Sequence, residues 1–237
     1  MKRVTPAILL CASLLLTLRA DAAFHLMSIV EVFPGTATAP TAQFIELQMY
    51  AAGQNLVAGH SITVHDASGT IVGTFSFPGN VSNGANQARV LIATSQAQTT
   101  FGVTANLTMT SSIALAGGKV CFDSIDCVSW GNYSGPPADA GTPFAAGTGL
   151  VLGQSMQRRL DISGGATTLE STDDTNNSAT NFVLAQPTPT NNAGQNGSLP
   201  PGAPAAVPLP AFGALLLGSF LLLAGGVIAS RRPRAPS

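Results

Sequence analysis

Gln43-Phe44-Ile45-Glu46-Leu47-Gln48-Met49-Tyr50 places Ile45, Leu47 and Met49 on one side of an extended chain and Glu46 and Gln48 on the other. Side chains alternate across a strand, so a period of two marks a strand with one apolar face. Working outward, runs of the same kind recur. Met27 to Phe33 comes before it and is closed by Pro34-Gly35. After it, Ser61 to Asp66 and Ile71 to Phe77 flank Ala67-Ser68-Gly69-Thr70, a hairpin signature; Ile71, Phe75 and Phe77 share a face. Arg89 to Thr94 follows the turn at Asn83-Gly84, and Lys119 to Asp123 follows Gly117-Gly118. Asp126 to Trp130 then continues across a short loop. No part of this region sustains a 3.6-residue apolar period. Short strands separated by turn residues predict an all-β sandwich.

The chain has 237 residues. Setting aside targeting segments at its ends leaves about 160 for a folded domain, enough for one sizeable core. Between residues 24 and 206 there are ten acidic residues and four bases (Arg89, Lys119, Arg158 and Arg159), a net charge of −6. An acidic domain without a basic stripe is a poor nucleic-acid binder. Two cysteines lie in this region, Cys121 and Cys127. In an oxidising compartment so close a pair reads as a disulfide. A metal site is the weaker alternative, since two thiolates without a nearby histidine or second cysteine pair make a poor zinc set.

The start has the order of a secretory signal: Lys2 and Arg3, then apolar Ala7 to Leu18, then an A-x-A site at Ala20-Asp21-Ala22. Residues 1–23 are expected to be removed by signal peptidase, so that the mature chain begins at Ala23 or Phe24. Cys11 lies inside the apolar run, which argues against a lipoprotein site. At the other end, Ala211 to Ser230 is an uncharged run of 20 residues. As a helix it would span roughly 30 Å, the hydrocarbon thickness of a bilayer. Arg231, Arg232 and Arg234 follow it and favour a cytoplasmic tail.

Val207-Pro208-Leu209-Pro210-Ala211, the apolar run and the terminal arginines together resemble the VPLPA variant of PEP-CTERM sorting signals, which exosortases process. Leu209 stands where the conventional motif has Glu. The resemblance implies a Gram-negative bacterium, transient residence in the inner membrane and cleavage near Pro210. Delivery would be to the cell surface or the extracellular matrix. A permanently anchored type I membrane protein is the alternative if no cleavage occurs.

The β-rich region resembles a second family, the lamin-tail domain, an immunoglobulin-like sandwich. Ile29-Val30-Glu31-Val32 is similar to its first strand and Gln43-Phe44-Ile45-Glu46-Leu47 to its Glu-Phe-Ile-Glu-Leu strand. Gly59-His60-Ser61-Ile62-Thr63-Val64 stands where the family has Gly-Trp and a strand. Asp66 to Gly69 and Phe75 to Pro78 continue the pattern. Val90-Leu91-Ile92-Ala93 and Val128-Ser129-Trp130-Gly131 match later strands. Ser155-Met156-Gln157-Arg158-Arg159, Asn181-Phe182 and Pro187-Thr188-Pro189 resemble the tail that follows bacterial copies. Gln43 for Glu and His60 for Trp are departures. The resemblance spans Met27 to Asn192 and implies a binding or architectural module with no catalytic residues of its own.

Candidate chemistry is sparse. Glu31 and Glu46 on adjacent strands form a carboxylate pair of the kind that cleaves glycosides; the alternative is that each caps a backbone group or lies on a polar face. His60 and His65, with Asp66, could hold a metal, although positions five apart fall on opposite faces of a strand. His25 is near the expected mature N-terminus. Asp173-Asp174-Thr175-Asn176-Asn177-Ser178 is an oxygen-rich loop of the kind that holds calcium in extracellular modules, or else an Asx-turn loop. No nucleophile elbow, phosphate loop, dinucleotide fingerprint or His-Glu-x-x-His occurs. Gln186 to Ala206, rich in Pro, Asn, Gly, Thr and Ala, reads as an extended stalk with Thr188 and Thr190 beside prolines.

The expected organisation is a signal peptide (1–23), a β-sandwich with a C-terminal extension (24–185), a stalk (186–206) and a sorting signal (207–237). The expected function is non-catalytic binding or structure at the bacterial surface or in its matrix, without a cofactor. Expected partners are signal peptidase, an exosortase-like enzyme, and exopolysaccharide or surface proteins. A secreted glycan hydrolase using Glu31 and Glu46 is the alternative.

Overall fold

A computed structural model describes residues 24–199. The expected signal-peptide site at Ala20, Ala22 and Ala23, the motif Val207 to Ala211, the apolar run and the terminal arginines lie outside the described residues. Among the described residues no helix is long and apolar enough to cross a membrane.

Two β-sheets face each other across one core. The first has the order β10-β9-β1-β2-β5-β6. Its central strands are β1 (Met27–Phe33), β2 (Phe44–Met49) and β5 (Arg89–Ala93). β6 (Leu107–Thr108) lies on one edge, and β9 (Ser155–Arg158) and β10 (Phe182–Ala185) on the other. The second has the order β4-β3-β7-β8, made of β3 (Ser61–Asp66), β4 (Ile71–Ser76), β7 (Gly117–Phe122) and β8 (Asp126–Gly131). Every pairing is antiparallel except β5 with β6. The seven strands expected from alternation are present, with ends shifted by at most two residues. β6, β9 and β10 carry no such pattern in the sequence.

Ile29, Val32, Ile45, Leu47, Met49, Val90 and Ile92 from the first sheet meet Ile62, Val64, Val120, Phe122, Val128 and Trp130 from the second. Each large apolar side chain buried here contributes about 1.5–3 kcal/mol. Trp130 is fully buried and its indole N–H donates to the Ala114 carbonyl at 2.8 Å, so its one polar atom is satisfied.

The outer face of the first sheet is covered as well. Phe33, Phe44, Leu91 and Ala93 form a second cluster with Ala97 and Phe101 of α1 (Ser95–Phe101). Phe101 meets the rings of Phe33 and Phe44 edge-on, at 5.3 and 5.4 Å. Thr94 starts this helix by accepting the Ala97 amide hydrogen, and Gly102 stops it in a left-handed conformation, φ 64°. A second, four-residue helix, α2 (Ser178–Asn181), leads into β10.

The chain beyond β10 corrects an expectation. Residues 186–199 do not leave the domain as an extended stalk; they lie on it as a strap. Pro187, Pro189, Asn191 and Asn192 are buried. Asn192 donates to the carbonyls of Asn83 and Arg89, both at 3.0 Å, and accepts the Asn83 amide at 2.7 Å. The Ser198 amide donates to the Phe101 carbonyl. The composition reads as an extended stalk, but sheet carboxylates and the strap's own asparagines supply the partners this polar segment needs.

The Ile71 face is a second correction. β4 pairs with β3 out of step between Val64 and His65, where His65 stands opposite Ile71. Ile71 and Val72 are therefore exposed, while Phe77 is buried.

Candidate functional site

Glu31 and Glu46 stand directly opposite each other on β1 and β2, and both are fully buried. Strict alternation along β1 would place Glu31 with Met27 and Ile29 in the core. A bulge intervenes: Ile29 pairs with Leu47, but Glu31 pairs with Glu46, leaving Val30 unmatched. That extra residue turns Glu31 and Phe33 to the outer face and Val32 inward.

Like charges opposite each other destabilise a sheet, and burial adds to the cost. The strap and its neighbours offset it. The Thr188 amide and hydroxyl donate to the two oxygens of Glu31, at 2.9 and 3.1 Å, and Ser155 Oγ donates to Oε1 at 2.6 Å. The Thr190 amide and the Arg89 guanidinium donate to Glu46. Burial nevertheless pushes both carboxyls up. Glu46 reaches about 8 against the opposing pull of Arg89, and Glu31 adds to that rise. Both shifts favour the protonated form of the pair. Of the two readings of this pair, the capping one describes the geometry. Each carboxyl accepts a backbone amide of the strap, Thr188 on Glu31 and Thr190 on Glu46.

A second station lies where the bulge breaks the ladder. Ile29 donates its amide to Asp126 Oδ2 at 2.7 Å, and its carbonyl accepts from Arg158 Nε at 2.8 Å. Arg158 Nη2 closes the triangle on Asp126 at 2.7 Å. Arg158 also approaches Asp174 at 3.3 Å and packs on the Phe182 ring. Side chains from β8 and β9 thus replace ladder bonds lost at the bulge and join the two sheets. Burial raises Asp126 to about 6, with Arg158 opposing.

Past the strap, the outer face opens into a cavity of about 500 Å³. Val30, Gln48, Arg89, Gln157 and Val183 line it from five strands, and Arg158, Arg159, Leu160, Asp161 and Ala166 wall it. Three of the domain's four bases thus share one pocket. Arg159 and Asp161 face each other through two bonds, Nε–Oδ1 at 3.0 Å and Nη2–Oδ2 at 3.2 Å, and both are exposed. Gln48 donates to Gln87 at 2.8 Å, but its buried Oε1 has no partner among the described residues.

The remaining candidates are scattered. The sulfurs of Cys121 and Cys127 are 2.05 Å apart, bonding distance, on directly opposite residues of β7 and β8. His60 pairs with Asp123 at 2.6 Å beneath the Phe24 ring, whereas His65 contacts Thr63 and the Gly69 carbonyl, so the two histidines do not converge. Asp173 points inward and accepts the Glu170 amide; Asp174 accepts from Asn176 and Asn181 while pairing with Arg158. Among the described residues no three His, Cys, Asp or Glu side chains gather as a metal site. Gln43 binds four backbone groups: Nε2 donates to the carbonyls of Pro34 and Ile113, and Oε1 accepts the amides of Ser112 and Ile113. Sequence reasoning missed Arg89, Asp126, Ser155 and Arg158. For Arg89 and Arg158 the signal was the rarity of bases in the domain; Asp126 and Ser155 carried none as site residues.

The chain matches no family model, no curated protein and no solved structure.

Proposed function

We propose that the chain is an exported, non-catalytic binding or structural module of the bacterial surface or extracellular matrix. Its sandwich is of the immunoglobulin-like, lamin-tail type. An N-terminal signal carries it across the inner membrane, where its C-terminal helix holds it until an exosortase-like enzyme cuts near Pro210. The observation that carries the non-catalytic part is the burial of Glu31 and Glu46 under the strap, since this carboxylate pair was the best candidate for hydrolysis. The export part is supported by the order of charged, apolar and proline-rich segments at the two ends, and by a cysteine pair at disulfide distance.

Intact mass of the protein from fractionated cells tests export: the expected form begins at Ala23 or Phe24, ends near Pro210 and is two hydrogens lighter than its reduced mass. Full-length chain in the cytosol with reduced thiols would refute it. Retention on purified exopolysaccharide tests the binding role; no retention, together with a normal matrix in a deletion strain, would count against it.

A further inference from the structure

We propose that the cavity beside the strap binds a carboxylated sugar, a uronic acid unit of an acidic glycan, with Arg159 taking the carboxylate. The inference rests on reading the domain as a binding module, but not on how the domain is exported.

Three observations converge on this pocket. Its size, about 500 Å³, suits one or two sugar rings. Its lining concentrates the rare cations of an acidic domain: Arg89, Arg158 and Arg159 are there, and Lys119 is elsewhere. Arg158 is enclosed and neutralised by Asp126 and Asp174, so it shapes the wall. Arg89 and Arg159 remain partly exposed, at 27% and 38% of their side chains.

The third observation identifies the ligand group. Arg159 already holds a carboxylate in two parallel bonds, that of Asp161, two residues along the same loop. This fork-to-fork geometry fits a planar carboxylate. Exposed pairs of this kind are weak, so an incoming carboxylate can displace Asp161 at little cost. Asp161 then acts as a built-in competitor. Acceptors for sugar hydroxyls are present in the Gln157 amide oxygen and, after a small side-chain shift, the unpartnered Gln48 Oε1. Val30, Leu160, Ala166 and Val183 supply an apolar surface for the ring face, and no aromatic platform lines the cavity. Recognition must therefore come chiefly from charge and hydroxyl contacts.

The test uses the full chain purified in detergent and calorimetric titration with glucuronate, a glucuronate oligomer, glucose and acetate. The expected result is saturable binding of glucuronate and its oligomer, with glucose and acetate at least about tenfold weaker. Arg159→Ala should weaken glucuronate binding about tenfold or more, and Asp161→Ala should tighten it severalfold. Both side chains are exposed, so the two variants should melt like the parent; unchanged melting shows that an altered affinity is not a folding defect. Opposite signs at the two paired positions are the signature of a competitor. Equal binding of acetate and glucuronate would overturn the sugar assignment. No binding, or equal loss in both variants, would overturn the site. If Arg159→Ala remains fully retained on exopolysaccharide, the pocket inference fails and the module reading stands; if the parent binds neither sugar nor polymer, both fail.

Discussion

Strands β2 and β3 look alike in sequence and end in opposite circumstances. Both alternate apolar and polar residues: Ile45, Glu46, Leu47, Gln48 in one and Ile62, Thr63, Val64, His65 in the other. In β3 the pattern means what it usually means, since Ile62 and Val64 are buried and Thr63 and His65 are half-exposed. In β2 all six residues are buried, the polar ones beneath the strap or at the floor of the cavity, and Phe44 beneath α1. Alternation therefore reports which face is apolar; it does not report whether the other face is wet. A polar face can be buried if something brings it hydrogen bonds, and here the strap brings amides to carboxylates.

The largest effect should come from breaking the cover on one side only. Phe44→Ala, which removes a ring shared between sheet and helix, should cost about 3–5 kcal/mol in urea unfolding. Val72→Ala, on the open side at 49% exposure, should change stability by less than about 0.5 kcal/mol. Equal costs at the two sites would erase the contrast.

The second sheet carries its own fastening, the Cys121–Cys127 link across β7 and β8. Closing so short a loop is worth roughly 2 to 2.5 kcal/mol in the chain-entropy model. The double Cys→Ser variant should lose about that much stability, whereas reducing agent should leave the variant itself unchanged. A negligible loss would mean that the link adds little to this sheet.

Acidity should sharpen the contrast further, because the covered face holds the Glu31–Glu46 pair. Glu46 has a folded value near 8, above its ordinary one near 4.5. The folded state therefore binds more protons than the unfolded chain between these values, and stability falls as pH rises through that window. Asp126, raised to about 6, acts in the same direction. Melting from pH 5 to 9 should show a decline, and Glu46→Gln should flatten it by about 1 to 2 kcal/mol. A variant with the parent's full slope would show that Glu46 does not hold the proton.

The smallest signal is kinetic. The amides of Thr188 and Thr190 should exchange slowly, in step with the sheet, because each donates to a buried carboxylate. Exchange at the rate of a free peptide would favour an extended stalk over a docked strap.

The strands with β-branched or aromatic runs, and the Ala67–Thr70 hairpin, were legible because each encodes its own geometry locally. Asp66 bears this out, accepting the amides of Ser68 and Thr70 around Gly69. The bulge at Val30 was not legible: it depends on Asp126 and Arg158, 97 and 129 residues from Ile29. The strap was misread for the same reason. Its Pro-Thr-Pro-Thr run has no apolar pattern, and its seats are distant in the chain: Glu31 and Glu46 lie more than 140 positions away and Asn83, which holds Asn192, lies 109 away. The cavity was the least visible, since its lining is gathered from five separate strands and the loop after β9.

Docking of the strap also shortens the leash. With the chain fastened through Ser198 to Phe101, only eight residues, 199–206, separate that anchor from Val207. Fully extended they reach no more than about 29 Å. If Val207 opens the sorting signal, the sandwich rides close to the bilayer until it is cut free, and a long glycan would have to come to the membrane to meet it.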